Sequence, residues 1–322
     1  MQNILLQVDD LKVSFQTMQG LITAVDGVSF TVARGANLGI VGESGCGKSV
    51  TALSLMGLIS SPPGSVEAES LNFAGRDLQQ LTAEEYRKIR GKEIGMVFQE
   101  PMTSLNPVFT IGNQVAETVL THMKISSRQA REMTVAMLDR VGIPEPEKRI
   151  NDYPHQLSGG LRQRVMIAMA LICKPKLLLA DEPTTALDVT IQAQVLDLMQ
   201  ELREDLGMSM IMITHDLGVV AEVAEQVVIM YAGMVVESAT VNDIFRQPLH
   251  PYTQGLLHSI PRLDQNVSRL DAIPGMVPDM LNVPPGCRFA NRCRQAIDIC
   301  HSQCPDSVEP EAGHQVCCWL YN

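Results

Sequence analysis

The opening segment of the chain alternates hydrophobic and polar residues, whereas several later segments are apolar almost without interruption. The alternation in "ILLQVDDLKVSF" and then in "AVDGVSFTV" predicts half-buried antiparallel strands. The runs "ANLGIVG", "KLLLAD" and "SMIMITHD" are short and apolar, with helical patterns between them. Such runs are typical of buried parallel strands that carry functional residues at their carboxyl ends. The pattern therefore predicts an α/β fold with a mixed sheet core and an antiparallel β subdomain.

Two further changes of pattern suggest how the chain is divided. A more polar stretch, roughly Thr110 to Pro154, is rich in Arg, Glu, Met and Ala and predicts an inserted helical subdomain. A Pro-rich tail begins near "RQPLHPYTQGLL". We therefore expect a main domain at 1–245, with its helical subdomain at about 110–155, and a small C-terminal extension at 246–322.

The composition is that of a globular chain with little attraction for nucleic acid. Its 322 residues are 45% hydrophobic and 19% charged, enough to bury a large core. The formal charge of -11 disfavours nucleic acid as a partner, because affinity for a phosphate backbone comes from Lys and Arg. The N-terminus lacks the pattern of a signal peptide, and the longest apolar run, Val165 to Cys173, is far shorter than the roughly 18 residues that span a bilayer. We therefore expect a chain in a reducing cytosol that does not cross a membrane unaided.

The stretch "GESGCGKS", from Gly42 to Ser49, predicts a phosphate-binding loop. It follows an apolar strand and opens the helical "KSVTALSLMGLI", as the pattern G-x-x-x-x-G-K-[ST] requires. Its glycines let backbone N–H groups approach phosphate, Lys48 would face the β- and γ-phosphates, and the Ser49 hydroxyl would reach Mg²⁺. Cys46 is expected to be a small filler rather than a reactive thiol. The predicted nucleotide-binding residues of this loop are Gly42, Glu43, Ser44, Gly45, Cys46, Gly47, Lys48, Ser49 and Val50.

Two adjacent carboxylates end the apolar run in "LLLADEP". Asp181 is expected to hold the hydration shell of Mg²⁺, and Glu182 to orient or deprotonate the attacking water. Together with the phosphate-binding loop, these residues indicate a P-loop NTPase.

The stretch "HQLSGGLRQRV" predicts a second anion-binding helix N-terminus. Ser158, Gly159 and Gly160 lie directly before an amphipathic helix, where backbone N–H groups favour negative charge. One P-loop does not need this second site, so the motif implies a partner. Here the chain resembles the ATP-binding cassette (ABC) family, whose signature reads LSGGQ, although Leu161 replaces the final Gln. The resemblance covers roughly Leu5 to Val236 and implies that two subunits each sandwich ATP between one P-loop and the other's signature.

Further marks of that family follow in the expected order. Gln99 ends "IGMVFQ", the "ALD" that starts at Ala186 ends at Asp188, and His215 follows "MIMIT". The resemblance implies that Gln99 senses Mg²⁺ and the membrane partner, that Asp188 meets the opposite subunit, and that His215 contacts the γ-phosphate. Phe15 resembles the family's adenine-stacking aromatic, and core packing is an equal alternative for it.

Three stretches resemble the ATPases of oligopeptide, dipeptide and nickel permeases: "QEPMTSLNP" (99–107), "YPHQLSGG" (153–160) and "HPYTQGLL" (250–257). The resemblance implies a peripheral ATPase on the cytoplasmic face of a bacterial inner membrane that energises uptake of di- or oligopeptides. It implies as partners a second ABC ATPase subunit in a heterodimer, two transmembrane permease subunits, and a periplasmic or lipid-anchored substrate-binding protein. Import of nickel or another small solute stays open, as does a non-transport cassette ATPase with a metal-sensing tail.

The end of the chain, from Pro284 to Trp319, holds six of its eight cysteines. In a reducing compartment such a group favours a metal site over disulfides, and four thiolates suit either zinc or a [4Fe–4S] cluster. Many permease ATPases of the kind this chain resembles carry a "GC-F-RC…C…C" pattern that holds an iron–sulfur cluster. Cys304 and Cys317 are additional thiols outside that pattern. The resemblance implies a [4Fe–4S] cluster, with zinc as the alternative, on the ligands Cys287, Cys293, Cys300 and Cys318.

Overall fold

The structure is a computed structural model that describes residues 3–100, 104–185, 187–259 and 273–322. Residues 101–103 of "QEPMTSLNP" and Ala186 of "ALD" therefore lie outside the described residues. Contacts divide the chain into two compact units. The first unit comprises Met1–Val32, Asn37–Gln80 and Ile213–Asn322, and the second comprises Ala33–Ala36 and Leu81–Met212.

The strands and helices follow one another along the chain in the mixed order that the sequence predicts. The strands are β1 (Ile4–Thr17), β2 (Gly20–Ala33), β3 (Asn37–Val41), β4 (Gly64–Glu67), β5 (Ser70–Phe73), β6 (Arg76–Asp77), β7 (Ile94–Val97), β8 (Leu177–Asp181), β9 (Ser209–Thr214), β10 (Gln226–Tyr231), β11 (Met234–Thr240), β12 (Val308–Glu311) and β13 (His314–Val316). The α-helices are α1 (Lys48–Leu55), α2 (Ala83–Ile89), α3 (Ile111–His122), α4 (Ser127–Arg140), α5 (Pro146–Arg149), α6 (Gly159–Leu171), α7 (Val189–Leu206), α8 (Leu217–Val223), α9 (Val241–Arg246) and α10 (Pro251–His258).

The alternating opening segment forms an antiparallel sheet in the first unit. Strand β1 lies between β2 and β5 and pairs antiparallel with β4 and β5. Its buried positions include Leu6 and Val8, and then Leu11 and Val13. The alternation shifts by one residue near Asp10, whose φ is +48°. An extra residue in a strand shifts a pattern in this way and keeps the apolar side chains on the core face.

A second group of strands in the first unit carries the C-terminal extension. Strand β10 pairs in parallel with β3 and antiparallel with β11. Strand β13 then pairs antiparallel with β11, with Glu237 opposite Val316, and β12 pairs with β13. The end of the chain therefore adds strands to the edge of the sheet that contains the buried strand β3.

The second unit contains the buried strands and helices that the middle of the sequence predicts. Strands β7 and β8 pair in parallel, with Ile94 opposite Leu177, and every residue of both is buried. The stretch predicted to be helical contains α3, α4 and α5. Helix α4 begins after Ser126, whose side chain accepts the Gln129 N–H while the Gln129 side chain accepts the Ser126 N–H. Among the described residues, no helix is long and apolar enough to span a bilayer.

Three buried aromatic rings join the C-terminal extension to the rest of the first unit. Tyr231 ends β10, Tyr252 lies on α10, and Phe289 lies between Cys287 and Cys293. The ring centroids of Tyr231 and Tyr252 are 4.7 Å apart, and Phe289 lies 5.2 Å and 5.4 Å from them. Both neighbouring cysteines pack against this cluster. The part of the chain that holds six cysteines, residues 284–319, is called the cysteine segment below. It packs on a hydrophobic core to which strands and helices outside the segment contribute.

Candidate functional site

The phosphate-binding loop lies in the first unit, between β3 and α1, and depends on glycine. Gly45 and Gly47 have φ values of +80° and +99°, which L side chains rarely adopt. A Cβ on Gly42 would lie 2.1 Å from the Met230 carbonyl oxygen, and one on Gly47 would lie 2.5 Å from that of Ala24. Larger residues at these positions would therefore displace neighbouring backbone.

Lys48 is buried at the start of α1, where carbonyl groups of the loop hold its ammonium. Its Nζ donates to the Gly42 oxygen at 2.7 Å and to the Glu43 oxygen at 3.1 Å. Ser49 and Val50 follow in the first turn of the helix and are half-buried, whereas Ser44 is exposed. The loop thus places one fixed cation at a helix N-terminus, an arrangement that favours phosphate.

Cys46 points away from solvent, as expected of a small filler. Its side chain is 1% exposed, and its Sγ would lie 2.6 Å from a Cβ on Gly42. Burial raises the pKa of the Cys46 thiol above its usual range. A thiol with a raised pKa is a poor nucleophile at neutral pH.

Two more residues predicted to contact the nucleotide lie in the first unit. Phe15 is half-buried on β1 opposite Gly64, whose Cβ, if present, would lie 3.3 Å from the Phe15 Cε1. A half-buried ring beside a glycine has area available for stacking. His215 is exposed directly after β9, and the next residue, Asp216, caps α8 by accepting the Gly218 N–H at 2.7 Å.

The two carboxylates of "LLLADEP" lie in the second unit, at the end of β8. Asp181 is the last residue of β8 and is 5% exposed. Glu182 has a φ of +44°, a conformation that costs roughly 1–3 kcal/mol for a residue other than glycine. Its Oε2 accepts hydrogen bonds from Gln99 Nε2 at 3.1 Å and from Thr185 Oγ1 at 3.0 Å. The structure thus brings Gln99 and Glu182, both predicted to be catalytic, into direct contact, although β7 ends two residues before Gln99.

The signature stretch caps a 13-residue helix and is exposed. Ser158 caps α6 by accepting the Leu161 N–H at 3.4 Å, and both Ser158 and Gly159 are exposed. Asp188 caps α7 in the same way, accepting the Ile191 N–H at 3.0 Å. A Cβ on Gly160 would lie 2.9 Å from the Ile191 side chain, so the two helices begin side by side. Both motifs predicted to face another subunit therefore lie on one exposed part of the second unit.

A backbone contact and mutual electrostatic interactions link the four cysteines of the predicted ligand set within the first unit. The Cys287 N–H donates to the Cys300 oxygen at 2.8 Å, and the Gln295 N–H donates to Cys293 Sγ at 3.4 Å. Burial raises the pKa of the Cys287 thiol to about 11, with further increases from neighbours that include Cys300 and Cys318. Burial also raises the pKa of Cys318, and Cys293 and Cys300 add to that increase.

The donor set fits an iron–sulfur cluster in its chemistry, because all four side chains are thiols and backbone N–H groups interact with the sulfurs of Cys287, Cys293 and Cys318. In the described parts of the chain, however, no three His, Cys, Asp or Glu side chains are placed to hold a metal ion. His314, inside the cysteine segment, is buried with its Nε2 2.7 Å from Glu237 Oε1. The cluster predicted from the sequence therefore stays a prediction.

Two residues that contact the phosphate-binding loop were not predicted from the sequence motifs. Arg292 donates to both carboxylate oxygens of Glu43, and the Tyr252 hydroxyl accepts the Glu43 backbone N–H at 2.9 Å. Both lie more than 200 positions away from Glu43 along the chain. The distinctive "HPYT" stretch contains Tyr252, but nothing in it indicated a contact with this loop.

Comparisons with known proteins identify the family and support the description of the fold. The pattern of the ABC transporter family matches residues 25–185, and that of the oligopeptide/dipeptide transporter C-terminal region matches residues 236–300. The chain is 53% identical to the oligopeptide transport ATP-binding protein AppD of Bacillus subtilis, over 98% of this chain and 97% of AppD. It is 52% identical to the dipeptide transport ATP-binding protein DppD of the same organism, over 98% of this chain and 94% of DppD.

Solved structures show the same fold. The dimeric ATP-binding cassette MJ0796, in a post-hydrolysis state bound to ADP and Pi, superposes with a TM-score of 0.64 at 28% identity, covering 73% of this chain and 98% of MJ0796. The protein cbiO1 of Clostridium perfringens superposes with a TM-score of 0.65 at 26% identity, covering 76% and 92% of the two chains. The chain therefore belongs to the ABC transporter family, among the ATPases of oligopeptide and dipeptide transporters. The α/β P-loop fold and the ABC ATPase activity predicted from the sequence are confirmed.

Proposed function

We propose that the chain is the ATP-hydrolysing subunit of a bacterial inner-membrane importer for di- or oligopeptides. The observation that carries this proposal is the match over almost the whole length of the chain to peptide-transport ATP-binding proteins, including the C-terminal region specific to that group. The cargo class rests on these relatives, because an ATPase subunit of this kind need not touch the transported solute.

Within the ATP site, we assign binding to the phosphate-binding loop. Residues 42–50 would surround the phosphates, with Lys48 as the fixed cation and Ser49 as a ligand of Mg²⁺. Asp181 would hold the water shell of Mg²⁺ from the end of β8, and Phe15 would stack on adenine. Mg²⁺, when bound, neutralises charge that develops on the phosphates.

We assign the chemical step to Glu182, assisted by Gln99 and His215. The strained backbone of Glu182 and its two hydrogen bonds fix a carboxylate that could orient the attacking water. Gln99 would report on Mg²⁺ through its contact with that carboxylate. The exposed His215 would approach the γ-phosphate.

The exposed start of α6 supports a two-subunit arrangement. Ser158, Gly159 and Gly160 would contact ATP held by the P-loop of a second ABC ATPase subunit, and Asp188 would meet that subunit. We propose a heterodimer, beneath two transmembrane permease subunits and supplied by a periplasmic or lipid-anchored binding protein. The chain would then be peripheral, on the cytoplasmic face of the membrane.

Peptide uptake in cells that lack this chain tests the proposal. Wild-type protein should restore uptake of labelled di- or oligopeptides, whereas Glu182→Gln should bind ATP but fail to restore uptake. Glu201→Gln, which changes an exposed residue of α7, is the matched control and should behave as wild type. Restoration of nickel uptake without peptide uptake would assign the other cargo, and normal peptide uptake by Glu182→Gln would refute the catalytic assignment.

For the cysteine segment we propose a [4Fe–4S] cluster on Cys287, Cys293, Cys300 and Cys318. The support is a repeated local geometry in which a backbone N–H two residues further along interacts with the sulfur. Gln295 does so for Cys293, Phe289 for Cys287 and Leu320 for Cys318. Such interactions stabilise the thiolate form that a cluster needs. By contrast, the Cys317 thiol interacts with the Ser307 side chain, and Cys304 is exposed.

Metal analysis of protein purified without oxygen tests this assignment. We expect iron and acid-labile sulfide, and a brown colour that Cys293→Ser abolishes while ATP binding persists. Cys304→Ser, a change at a thiol outside the ligand set, should retain the colour. Detection of zinc without sulfide would show that the site holds zinc and not an iron–sulfur cluster. Disulfides mapped between these cysteines would exclude both the cluster and zinc.

A further inference from the structure

A partly buried ion pair joins the phosphate-binding loop to the C-terminal extension. Arg292 NH1 and NH2 donate to the two carboxylate oxygens of Glu43 at 2.7 Å and 3.0 Å. The Arg292 side chain is 6% exposed and that of Glu43 is 26% exposed. A two-point contact between a guanidinium and a carboxylate fixes orientation as well as distance.

Other contacts hold the Arg292 guanidinium in place. Its Nε donates to the Pro274 oxygen at 3.0 Å, and its NH1 also donates to the Tyr231 hydroxyl at 3.2 Å. The guanidinium lies 5.7 Å from the Tyr231 ring centroid and 5.9 Å from that of Phe289. Arg292 is therefore a rigid fork, anchored in the extension and at the end of β10, and not a flexible surface side chain.

Glu43 is held through its backbone as well. Its N–H donates to the buried Tyr252 hydroxyl at 2.9 Å, and its carbonyl accepts from Lys48 Nζ at 3.1 Å. A rotation of this residue would therefore disturb a carbonyl that holds the Lys48 ammonium. The contacts form a continuous path from Arg292 through Glu43 to Lys48.

We propose that Arg292 is a positioning residue for ATP binding, which acts from the C-terminal extension by fixing Glu43 and with it the phosphate-binding loop. The inference rests on the proposed binding of phosphates by this loop. Two effects would favour ATP. The ion pair preorganises the loop, and it neutralises a carboxylate that would otherwise repel the triphosphate.

A double-mutant cycle on the affinity for ATP tests the proposal with the full chain. Arg292→Ala should raise the Kd for ATP about tenfold, since coupled residues in contact commonly interact by that amount, while kcat changes less than about twofold. Adding Glu43→Gln should recover most of the affinity, because no unpaired carboxylate then remains beside the phosphates. Arg294→Ala removes an exposed arginine from the same segment and should leave the Kd unchanged.

The outcomes separate this inference from the proposed ATP site. If wild type binds ATP and Lys48→Ala does not, the loop assignment stands. An unchanged Kd in Arg292→Ala would then overturn the positioning role, as would an equal loss in the single and double variants. If Arg292→Ala does not fold, Arg292→Lys keeps the charge without the fork, and the absence of coupling between it and Glu43→Gln overturns the proposal.

Discussion

The phosphate-binding loop and the cysteine segment both carry candidate ligands in the first unit, but they are stabilised in different ways. The loop is held largely by its own backbone, through glycines with positive φ and carbonyls that bind Lys48, and distant residues add contacts at Glu43. The cysteine segment is held by residues far away in sequence. Phe289 packs between Tyr231 and Tyr252, Arg288 pairs with Asp26, and β13 pairs with β11.

Because of this difference, substitutions in one region should affect ligand binding and substitutions in the other should affect stability. A locally held site can lose a ligating side chain without losing its scaffold, because its backbone hydrogen bonds remain. A segment without its own core loses order when a remote packing contact is removed. Changes in the loop should therefore act mainly on ATP, and changes beneath the cysteine segment should act mainly on folding.

Of the substitutions that test this difference, Lys48→Ala is expected to have the largest effect, and that effect is on the affinity for ATP. Removing one partner of a buried charged contact typically costs about 2–5 kcal/mol, so affinity for ATP should fall by about 30-fold or more. The cysteine segment should keep its resistance to protease. Binding of a fluorescent ATP analogue and limited proteolysis measure the two quantities. Lys124→Ala, at an exposed lysine, should change neither, and unchanged ATP affinity in Lys48→Ala would contradict the assignment.

The sequence predicts locally stabilised parts of the molecule well. The spacing of Gly42, Gly47 and Lys48 predicts a strand, a tight loop and a helix, because the backbone geometry itself demands those residue types. The buried strands β3, β8 and β9 follow equally from their apolar runs. Caps at Ser158 and Asp188 follow from the preference of short polar side chains for helix N-termini.

Contacts between distant residues could not be predicted in this way. Nothing in the residues around Glu43 indicates that Arg292 binds it, because the partners are joined only by the folded chain. The positive φ of Glu182 is similarly absent from any local pattern, since glutamate rarely adopts it. The arrangement of the four thiols likewise depends on strands β10 and β11, and the sequence provides only their spacing.

A smaller but still substantial effect is expected from Phe289→Ala. The Phe289 ring is 3% exposed and lies against Tyr231, Tyr252 and His250, so its removal should leave a cavity and cost roughly 3–5 kcal/mol. Proteolysis should then begin in the cysteine segment, as seen by mass spectrometry of the fragments. Phe245→Ala, at a ring that is 37% exposed, should be much milder. A Phe289→Ala segment as resistant as wild type would show that it does not depend on this core.

The smallest expected effect concerns pH and the entry to α10. His250 is 1% exposed, and burial lowers its pKa from 6.5 to about 3. Its Nδ1 accepts the Tyr252 N–H at 3.0 Å, which requires that nitrogen to be unprotonated. The backbone N–H of His250 separately donates to Glu237 Oε2 at 3.0 Å. The folded state therefore holds this imidazole neutral beside the aromatic core that supports the cysteine segment.

The sign of the pH dependence follows from the direction of that shift. As the pH falls from 7.5 to 5.5, the unfolded chain binds a proton at His250 and the folded chain does not. The free energy of unfolding should therefore decrease by about 1.4 kcal/mol because of this residue. His250→Asn keeps a side-chain acceptor for the helix cap but cannot titrate, so it should lose that much less stability over the same interval. Urea unfolding at the two pH values measures the difference. His258→Asn, at an exposed histidine of the same helix, should retain the wild-type pH dependence. Equal pH dependence in wild type and His250→Asn would show that the anchor of the cysteine segment does not depend on a neutral histidine.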